Sequence, residues 1–283
     1  MDVNVLSVSG LCKTYPGFQL KDVGFSVREG SIMGFIGRNG AGKTTTLKSL
    51  LNFVHPDSGE IIFFDKPFTG NEIAIKDETA FASGGIDFYP KKSLKTITAV
   101  TRRFYPSWDE NAYCKYLSLF DLDESKTPEK LSAGMRVKYL LALALCRHAR
   151  LLILDEPTSG LDPVSRDELL DIFMDLVDTE KVSILFSTHI TSDLDKCADD
   201  ITYIKNGSIV ASMDLEQFLK GYILVQGTAE ALTSDFGQRL IGAKKERHGF
   251  SGLLPFTDNA PLPNDVRASK ADLEAIMVHM ERE

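Results

Sequence analysis

The sequence predicts an α/β fold with a mostly parallel sheet, and two segments support this prediction. A compact apolar strand over residues 31–36 runs into a glycine-rich loop, and a helical segment over 43–52 without Gly or Pro follows it. Residues 151–154 form a short, entirely apolar run. This pattern predicts a strand buried on both faces, which is typical of parallel sheets covered by helices. A crossover helix over 167–177 and another parallel strand over 182–188 follow.

The remaining segments add three units to this sheet. Loosely alternating apolar residues between 3 and 27 predict short N-terminal β-strands, which we assign to an antiparallel β-subdomain. Richer helical patterns over about 85–150 predict an inserted helical subdomain. We therefore assign 1–215 to the main domain and 216–283 to a small C-terminal α+β accessory region. Asn206-Gly207 predicts a hairpin turn. Within the accessory region we predict a strand over 222–226, a helix over 229–236 and a closing helix over 273–280.

Composition limits the function classes. Over 283 residues, 32 Lys and Arg stand against 40 Asp and Glu, and the net charge of -8 argues against a general polyanion binder. The apolar run over 139–146 is far short of the roughly 18 residues that a membrane span needs, and no secretory signal is predicted. The four cysteines form no CxxC pair, so we expect reduced packing thiols in a cytoplasmic protein.

The loop after the first predicted strand matches GxxxxGK[ST]. Its residues are Gly37, Arg38, Asn39, Gly40, Ala41, Gly42, Lys43 and Thr44, and Thr45 joins them as a predicted nucleotide contact. In such a loop backbone N–H groups cradle phosphates, the lysine reaches the β- and γ-phosphates, and the threonine hydroxyl binds Mg²⁺. The alternative is a glycine turn with a chance lysine. The strand–loop–helix context favours the core of a P-loop nucleoside triphosphatase that binds ATP and Mg²⁺.

Two acids follow the buried strand over 151–154. We predict that Asp155 holds Mg²⁺, directly or through water, and that Glu156 accepts a proton from the attacking water. The alternative is that both acids cap the following helix, since carboxylates favour helix N-termini.

Three further motifs narrow the family. Leu131–Arg136 precedes a predicted helix, Ser159–Asp162 follows the acidic pair, and Ser187–His189 ends the next strand. In this order and spacing, the chain over about 3–213 resembles the nucleotide-binding subunit of an ATP-binding cassette (ABC) transporter.

The resemblance implies roles for the matching positions. The family's signature loop, which contacts the γ-phosphate of ATP held by the opposite subunit, corresponds to Ser132, Ala133 and Gly134. Asp162 matches the loop that contacts the partner across the dimer, and His189 matches the switch histidine at the γ-phosphate. Tyr15 matches the aromatic residue that stacks on adenine.

Each of these positions also has a plainer interpretation. The signature stretch could only cap a core helix, Leu161-Asp162-Pro163 could only start one, and His189 could be a polar loop residue. Tyr15 could be an ordinary aromatic residue at a strand end.

The sequence departs from the family in two places. A glutamine or glutamate normally follows the strand that enters the helical subdomain, and Ser83 or Gly84 occupies that place. Metal ligation could then use an additional water, and coupling to the membrane subunit could use the backbone or Asp87. In the signature loop, Ala133 and Met135 replace Gly and Gln without removing a backbone donor. Because Lys43, Asp155, Glu156 and His189 are all present, we predict that hydrolysis persists.

Residues 104–110, Phe-Tyr-Pro-Ser-Trp-Asp-Glu, resemble a stretch in a bacterial branch of ABC exporters linked to peptide export and self-protection. The alternative is a helix start with Ser107 as its cap and acids in the first turn.

The family resemblance implies an ATP-hydrolysing subunit that powers a membrane transporter. The partners it implies are a polytopic membrane subunit in a separate chain and a second ABC subunit, identical or different. One phosphate loop and one signature loop per chain imply a head-to-tail dimer around two ATP molecules at the cytoplasmic face of the membrane. The helical subdomain is the expected docking surface. Alternatives are a soluble ABC ATPase acting on ribosomes or nucleic acid, although no nucleic-acid partner is expected, and a regulatory cassette with little turnover.

Overall fold

The computed structural model describes residues 3–83, 89–232, 234–258 and 260–282. The strands are β1 (Asn4–Tyr15), β2 (Phe18–Arg28), β3 (Ile32–Ile36), β4 (Ser58–Phe63), β5 (Lys66–Pro67), β6 (Thr79–Ser83), β7 (Leu151–Asp155), β8 (Ser183–Thr188), β9 (Asp200–Lys205), β10 (Ser208–Asp214), β11 (Tyr222–Gly227), β12 (Ile241–Glu246), β13 (Gly249–Pro255) and β14 (Val266–Lys270). The α-helices are α1 (Lys43–Leu50), α2 (Glu72–Glu78), α3 (Leu94–Thr101), α4 (Glu110–Leu119), α5 (Ala133–Leu145), α6 (Pro163–Glu180), α7 (Thr191–Cys197), α8 (Leu215–Lys220), α9 (Ser234–Arg239) and α10 (Leu273–Met280).

The central sheet has the strand order β10-β9-β3-β8-β7-β6. All its pairings are parallel except that of β10 with β9, which confirms the predicted mostly parallel sheet. Every residue of β3, β7 and β8 is buried, because structure covers both faces of these strands. The carboxyl ends of the parallel strands meet at one edge, where ligands of open α/β sheets bind.

An antiparallel sheet of order β2-β1-β4-β5 covers one face of the central sheet, as predicted. Phe25 of β2 packs against Phe35 of β3 with ring centroids 5.2 Å apart. Leu47 of α1 and Ile153 of β7 belong to the same buried cluster. Leu152 and Leu154, which alternate with Ile153, pack into a second cluster on the other face.

The helical subdomain lies between β6 and β7 and contains α3, α4 and α5. Residues 84–88, where the predicted insert begins and which include Gly84 and Asp87, lie outside the described residues. The hydroxyl of Thr98 bonds those of Tyr113 and Tyr139, each at 2.7 Å, so the buried hydroxyls of this subdomain bond one another. The predicted Ser107 cap is wrong, because Asp109 accepts the first N–H groups of α4.

The C-terminal region forms an antiparallel sheet of order β12-β13-β11-β14. The predicted closing helix is α10, whereas the helix predicted over 229–236 is a short 3₁₀ turn over Ala229–Ala231 followed by α9. Buried residues Leu273, Ile276 and Met280 of α10 join the apolar cluster of the central sheet. This region therefore packs directly on the sheet that bears the phosphate loop.

The cysteines in the structure are free thiols. Burial raises the pKa of Cys146 and of Cys197 to about 12, as expected for packing residues. No helix within the described residues combines the length and the apolar character that a membrane crossing requires.

Arg147 joins the helical subdomain to the sheet domain. Its guanidinium donates to the backbone oxygens of Lys76, Asp77 and Thr79 at 2.8 Å each, around the end of α2. Its charge lies 4.3 Å from the centre of the Tyr105 ring. The side chain is buried, and this burial lowers the pKa of Arg147. A cation at a helix C-terminus interacts favourably with the helix dipole.

We predict that Arg147→Met lowers the free energy of unfolding by about 2–4 kcal/mol, because buried carbonyl groups lose their donor. Arg150→Met is the matched control. Arg150 is about half exposed and pairs with Glu29 and Glu78 at the surface, where such pairs contribute at most about 1 kcal/mol. Urea unfolding measures both variants. Equal losses would contradict the importance of the buried contacts.

Candidate functional site

The phosphate loop connects β3 to α1 and requires glycine at defined points. A Cβ on Gly37 would lie 2.3 Å from the backbone oxygen of Ile204, and Gly42 has a φ of 115° at the N-cap of α1. Gly40 also has a positive φ, of 84°. The other predicted contacts vary in exposure: Arg38, Asn39 and Thr44 are exposed, Thr45 is half-buried and Ala41 is buried.

Lys43 folds back across this loop. It is 5% exposed, and its Nζ donates to the backbone oxygen of Gly37 at 2.7 Å. The same Nζ lies 3.2 Å from Oε1 of Glu156. The cation is thus held beside the loop, where a phosphate chain would replace the carbonyl and carboxylate as its partners.

Asp155 ends β7 and is 5% exposed. Three hydroxyls donate to its carboxylate: Thr44 at 3.1 Å and Ser187 at 2.7 Å to Oδ1, and Ser83 at 3.1 Å to Oδ2. The strand register explains this convergence, because Asp155 pairs with Ser83 of β6 on one side and Ser187 of β8 on the other.

This donor set fits Mg²⁺. Mg²⁺ prefers oxygen ligands and is commonly held by one or two carboxylates together with substrate phosphates. The described part of the chain contains no cluster of three or more His, Cys, Asp and Glu residues that could hold a metal alone. Thr44 and Asp155 could therefore hold the metal together with the nucleotide.

Glu156 lies between two charged or polar partners. Its carboxylate contacts Lys43 through Oε1 and Nδ1 of His189 through Oε2, the latter at 2.7 Å. Its φ is 53°, a left-handed conformation that costs energy for a residue with a Cβ and often occurs at functional sites. The helix-cap alternative is wrong, because α6 begins at Pro163 and Asp162 caps it.

The signature segment lies at a separate helix start. Ser132 caps α5 by accepting from the backbone N–H of Met135, and Ala133 is exposed. A Cβ on Gly134 would lie 3.6 Å from the Cβ of Ser165, so the start of α5 packs beside the start of α6. Within the described residues, no hydrogen bond or ion pair joins this segment to the phosphate loop.

Asp162 accepts from the backbone N–H groups of Val164 and Ser165 at 3.0 and 3.1 Å. Its hydrogen bond from the Ser165 hydroxyl lowers the pKa of the Asp162 carboxyl. The helix-start interpretation of Asp162 is therefore confirmed, and it is compatible with a contact across a dimer.

Tyr15 ends β1 and is 40% exposed. It lines a cavity of about 550 Å³ with Gly40 of the phosphate loop, Phe18 and Asn206. Nζ of Lys13 lies 5.6 Å from the centre of its ring. The structure thus brings the predicted adenine-stacking residue beside the phosphate loop.

Sequence reasoning missed two polar residues of this site. Ser187 contacts Asp155, and the backbone N–H of Glu156 donates to the Ser187 hydroxyl at 3.0 Å. The pairing of two adjacent parallel strands could have indicated it. Asp193 of α7 is buried, accepts from Thr158 at 2.7 Å, and has its pKa raised by that burial. No local pattern indicated this residue.

The geometry can be compared with known proteins. The family model described as ABC transporter matches residues 20–159. The ABC transporter ATP-binding protein YtrB of Bacillus subtilis (strain 168) is 31% identical over 223 residues, which cover 78% of this chain and 76% of that protein. The bacitracin transport ATP-binding protein BcrA of Bacillus licheniformis is 30% identical over 219 residues, covering 76% and 72%.

Solved structures agree with these sequence relatives. An ATP-binding subunit of an ABC transporter superposes with a TM-score of 0.67 at 28% identity and covers 75% of this chain and 91% of its own. The chain therefore belongs to the ABC transporter family, as an ATP-binding subunit. Its enzymatic activity is ATP hydrolysis.

We predict that Tyr15→Ala weakens ATP binding by roughly 5- to 150-fold, the equivalent of about 1–3 kcal/mol of lost base stacking. Tyr15→Phe is the control, because it keeps the ring and should bind within about twofold of the parent. Titration with a fluorescent ATP analogue measures both. Equal affinity of the Ala variant and the parent would remove Tyr15 from the adenine site.

Proposed function

We propose that this ATP-binding subunit works as half of a head-to-tail dimer and powers export by a polytopic membrane subunit in a separate chain. The observation that carries the proposal is the contact chain from Lys43 through Glu156 to His189, beside Asp155. The signature segment at Ser132 lies at another helix start of the same chain. One chain thus offers a hydrolytic half-site and a separate N–H-bearing helix start for a second nucleotide.

Each side chain of the half-site has a role in this proposal. Glu156 accepts a proton from the attacking water, which is general-base work for a positioned carboxylate. His189 holds that carboxylate from the other side and contacts the γ-phosphate. Lys43 exchanges its present partners for the β- and γ-phosphates. The strained backbone at Glu156 directs its carboxylate to a point between Lys43 and His189.

The proposal includes Mg²⁺, held by Thr44 and Asp155 together with the nucleotide. When bound, the ion neutralises charge that develops on the phosphates. Asp155 is already fixed by hydroxyl groups, so little reorganisation of this carboxylate is required.

ATP would hold two such subunits together, because each phosphate loop needs the signature segment of the partner. Hydrolysis would remove contacts to the γ-phosphate and shift the pair towards the open state. The second subunit is a copy of this chain or a different ABC subunit. The membrane subunits would convert closing and opening into transport at the cytoplasmic face.

The membrane subunit is proposed to dock in a cleft between α2 and the segment after α3. This docking cleft has a volume of about 630 Å³ and is lined by Ile73, Phe104 and Pro106. Ile73 is 89% exposed and Phe104 is 75% exposed. Large exposed apolar side chains around a cleft are typical of protein-binding sites. Arg147 contacts both walls of the cleft, because its guanidinium donates to the backbone oxygen of Asp77 and lies over the ring of Tyr105.

Export, and peptides as a substrate class, are supported by the resemblance of residues 104–110 to an exporter branch and by the name of one relative. Two residues of this stretch, Phe104 and Pro106, line the docking cleft. The relative BcrA is named for bacitracin transport. Other relatives carry names of different transport systems, such as the carnitine transport protein OpuCA of Listeria monocytogenes, at 28% identity. The direction of transport is therefore a proposal that transport assays must test.

We expect Glu156→Gln to bind ATP but to hydrolyse it about 10²–10⁴-fold more slowly, because the amide cannot accept the proton. The variant should accumulate as a dimer when ATP is present, measured by light scattering beside phosphate release. Glu168→Gln, at an exposed ion pair with Lys138, is the control and should behave as the parent. Turnover at the parental rate would exclude Glu156 as the base, and full activity of strictly monomeric protein would exclude the dimer.

We expect the double variant Ile73→Asp, Phe104→Asp to bind the membrane subunit at least tenfold more weakly, because two charges replace apolar side chains in the docking cleft. Its affinity for nucleotide should stay unchanged. Phe256→Asp is the control, since Phe256 is 65% exposed in the loop after β13. Each variant is coexpressed with a polytopic membrane protein that copurifies with the parent chain, and its retention in the detergent-purified complex is measured. Retention equal to that of the control would place the interface elsewhere.

A further inference from the structure

We propose that Ser83 is a positioning residue for the metal carboxylate, its hydroxyl holding Asp155 from the neighbouring strand. The inference rests on the proposed use of Mg²⁺ with ATP.

The strand register places Ser83 beside Asp155. Ser83 ends β6 and pairs with Asp155 at the end of β7, and its Oγ donates to Oδ2 at 3.1 Å. The other carboxylate oxygen, Oδ1, accepts from Ser187 and Thr44. Among the hydrogen bonds of the described residues, Ser83 is the donor to Oδ2. A carboxylate that is 5% exposed needs such a partner, because a buried charged oxygen without a donor is costly.

The hydrogen bond from Ser83 to Asp155 gains importance when Thr44 serves as a metal ligand. Thr44 then no longer donates to Asp155, and Ser83 and Ser187 remain to hold the carboxylate from the two flanking strands. Partners that orient metal-binding carboxylates typically change metal affinity by about 10- to 100-fold when they are removed. The Ser83 side chain is exposed but short, and its hydroxyl donates to Asp155, so its effect on the metal site acts through Asp155.

The test is the Mg²⁺ requirement of nucleotide binding in Ser83→Ala. A fluorescent ATP analogue is titrated into the full chain at increasing Mg²⁺ and, separately, in EDTA. We expect the Mg²⁺ concentration at half-maximal effect to rise about tenfold, with binding in EDTA unchanged. Ser83→Thr keeps the hydroxyl and should restore the parental Mg²⁺ requirement. Mn²⁺ in place of Mg²⁺ gives a second readout, because its EPR spectrum reports the bound fraction directly.

Thr79→Val is the matched control at the other end of β6. The Thr79 hydroxyl is buried and has no hydrogen-bond partner among the residues that the structure describes, so its removal should leave the Mg²⁺ requirement unchanged. Thermal unfolding is measured for each variant to check that it is folded. A Mg²⁺ requirement of Ser83→Ala within about twofold of the parent overturns the proposal, as does an equal shift in Thr79→Val.

The readout is binding rather than turnover. A failure of the proposed hydrolysis or dimer would appear in phosphate release or light scattering and would leave the metal titration interpretable. Failure of Ser83→Thr to restore the Mg²⁺ requirement would also overturn the inference, because the hydroxyl would then not be the active group.

Discussion

The alignment of three neighbouring parallel strands at their carboxyl ends is the constraint on which the site depends. Because β6, β7 and β8 end together, Ser83, Asp155 and Ser187 lie side by side without any long side chain having to reach across. A slip of one residue in either pairing would turn these polar groups towards the opposite face and place apolar neighbours at the edge. The fully buried apolar residues of β7 and β8 oppose such a slip, so packing of the core determines the geometry of the polar edge.

The charged groups above this edge find partners within the chain. Lys43 is almost fully buried, and an unpaired ammonium group there would be unfavourable, but Glu156 and the carbonyl of Gly37 compensate it. His189 occupies the other oxygen of Glu156. In the proposed mechanism, the carboxylate of Glu156 would become available to a water molecule once phosphates replace it as the partner of Lys43.

The sequence predicted the sheet class, the phosphate loop, the acidic pair and the hairpin at Asn206. Each of these is encoded by a short run of residues whose backbone or side-chain requirements are specific. Asn206 and Gly207 do have positive φ, of 49° and 80°. It did not predict Ser187 or Asp193 as parts of the site, since their importance comes from register and burial between distant segments. The helix over 229–236 was wrong in extent, because short segments with a weak period carry little information about their ends. Ser107 was a plausible cap, but Asp109 competes for the same N–H groups and binds two of them.

The anchoring of α10 on β9 has a consequence for the order of folding during synthesis. The Tyr203 hydroxyl donates to Glu281 across 78 residues of chain, and Lys205 donates to the backbone of Met280 across 75. At about 5–20 residues per second, the ribosome needs several seconds to supply these partners after β9 has emerged. During that interval the face of the central sheet that α10 covers is exposed to chaperones and to other nascent chains. Slow translation through the C-terminal segment would lengthen this exposure, whereas the antiparallel sheet at the N-terminus closes with far less delay.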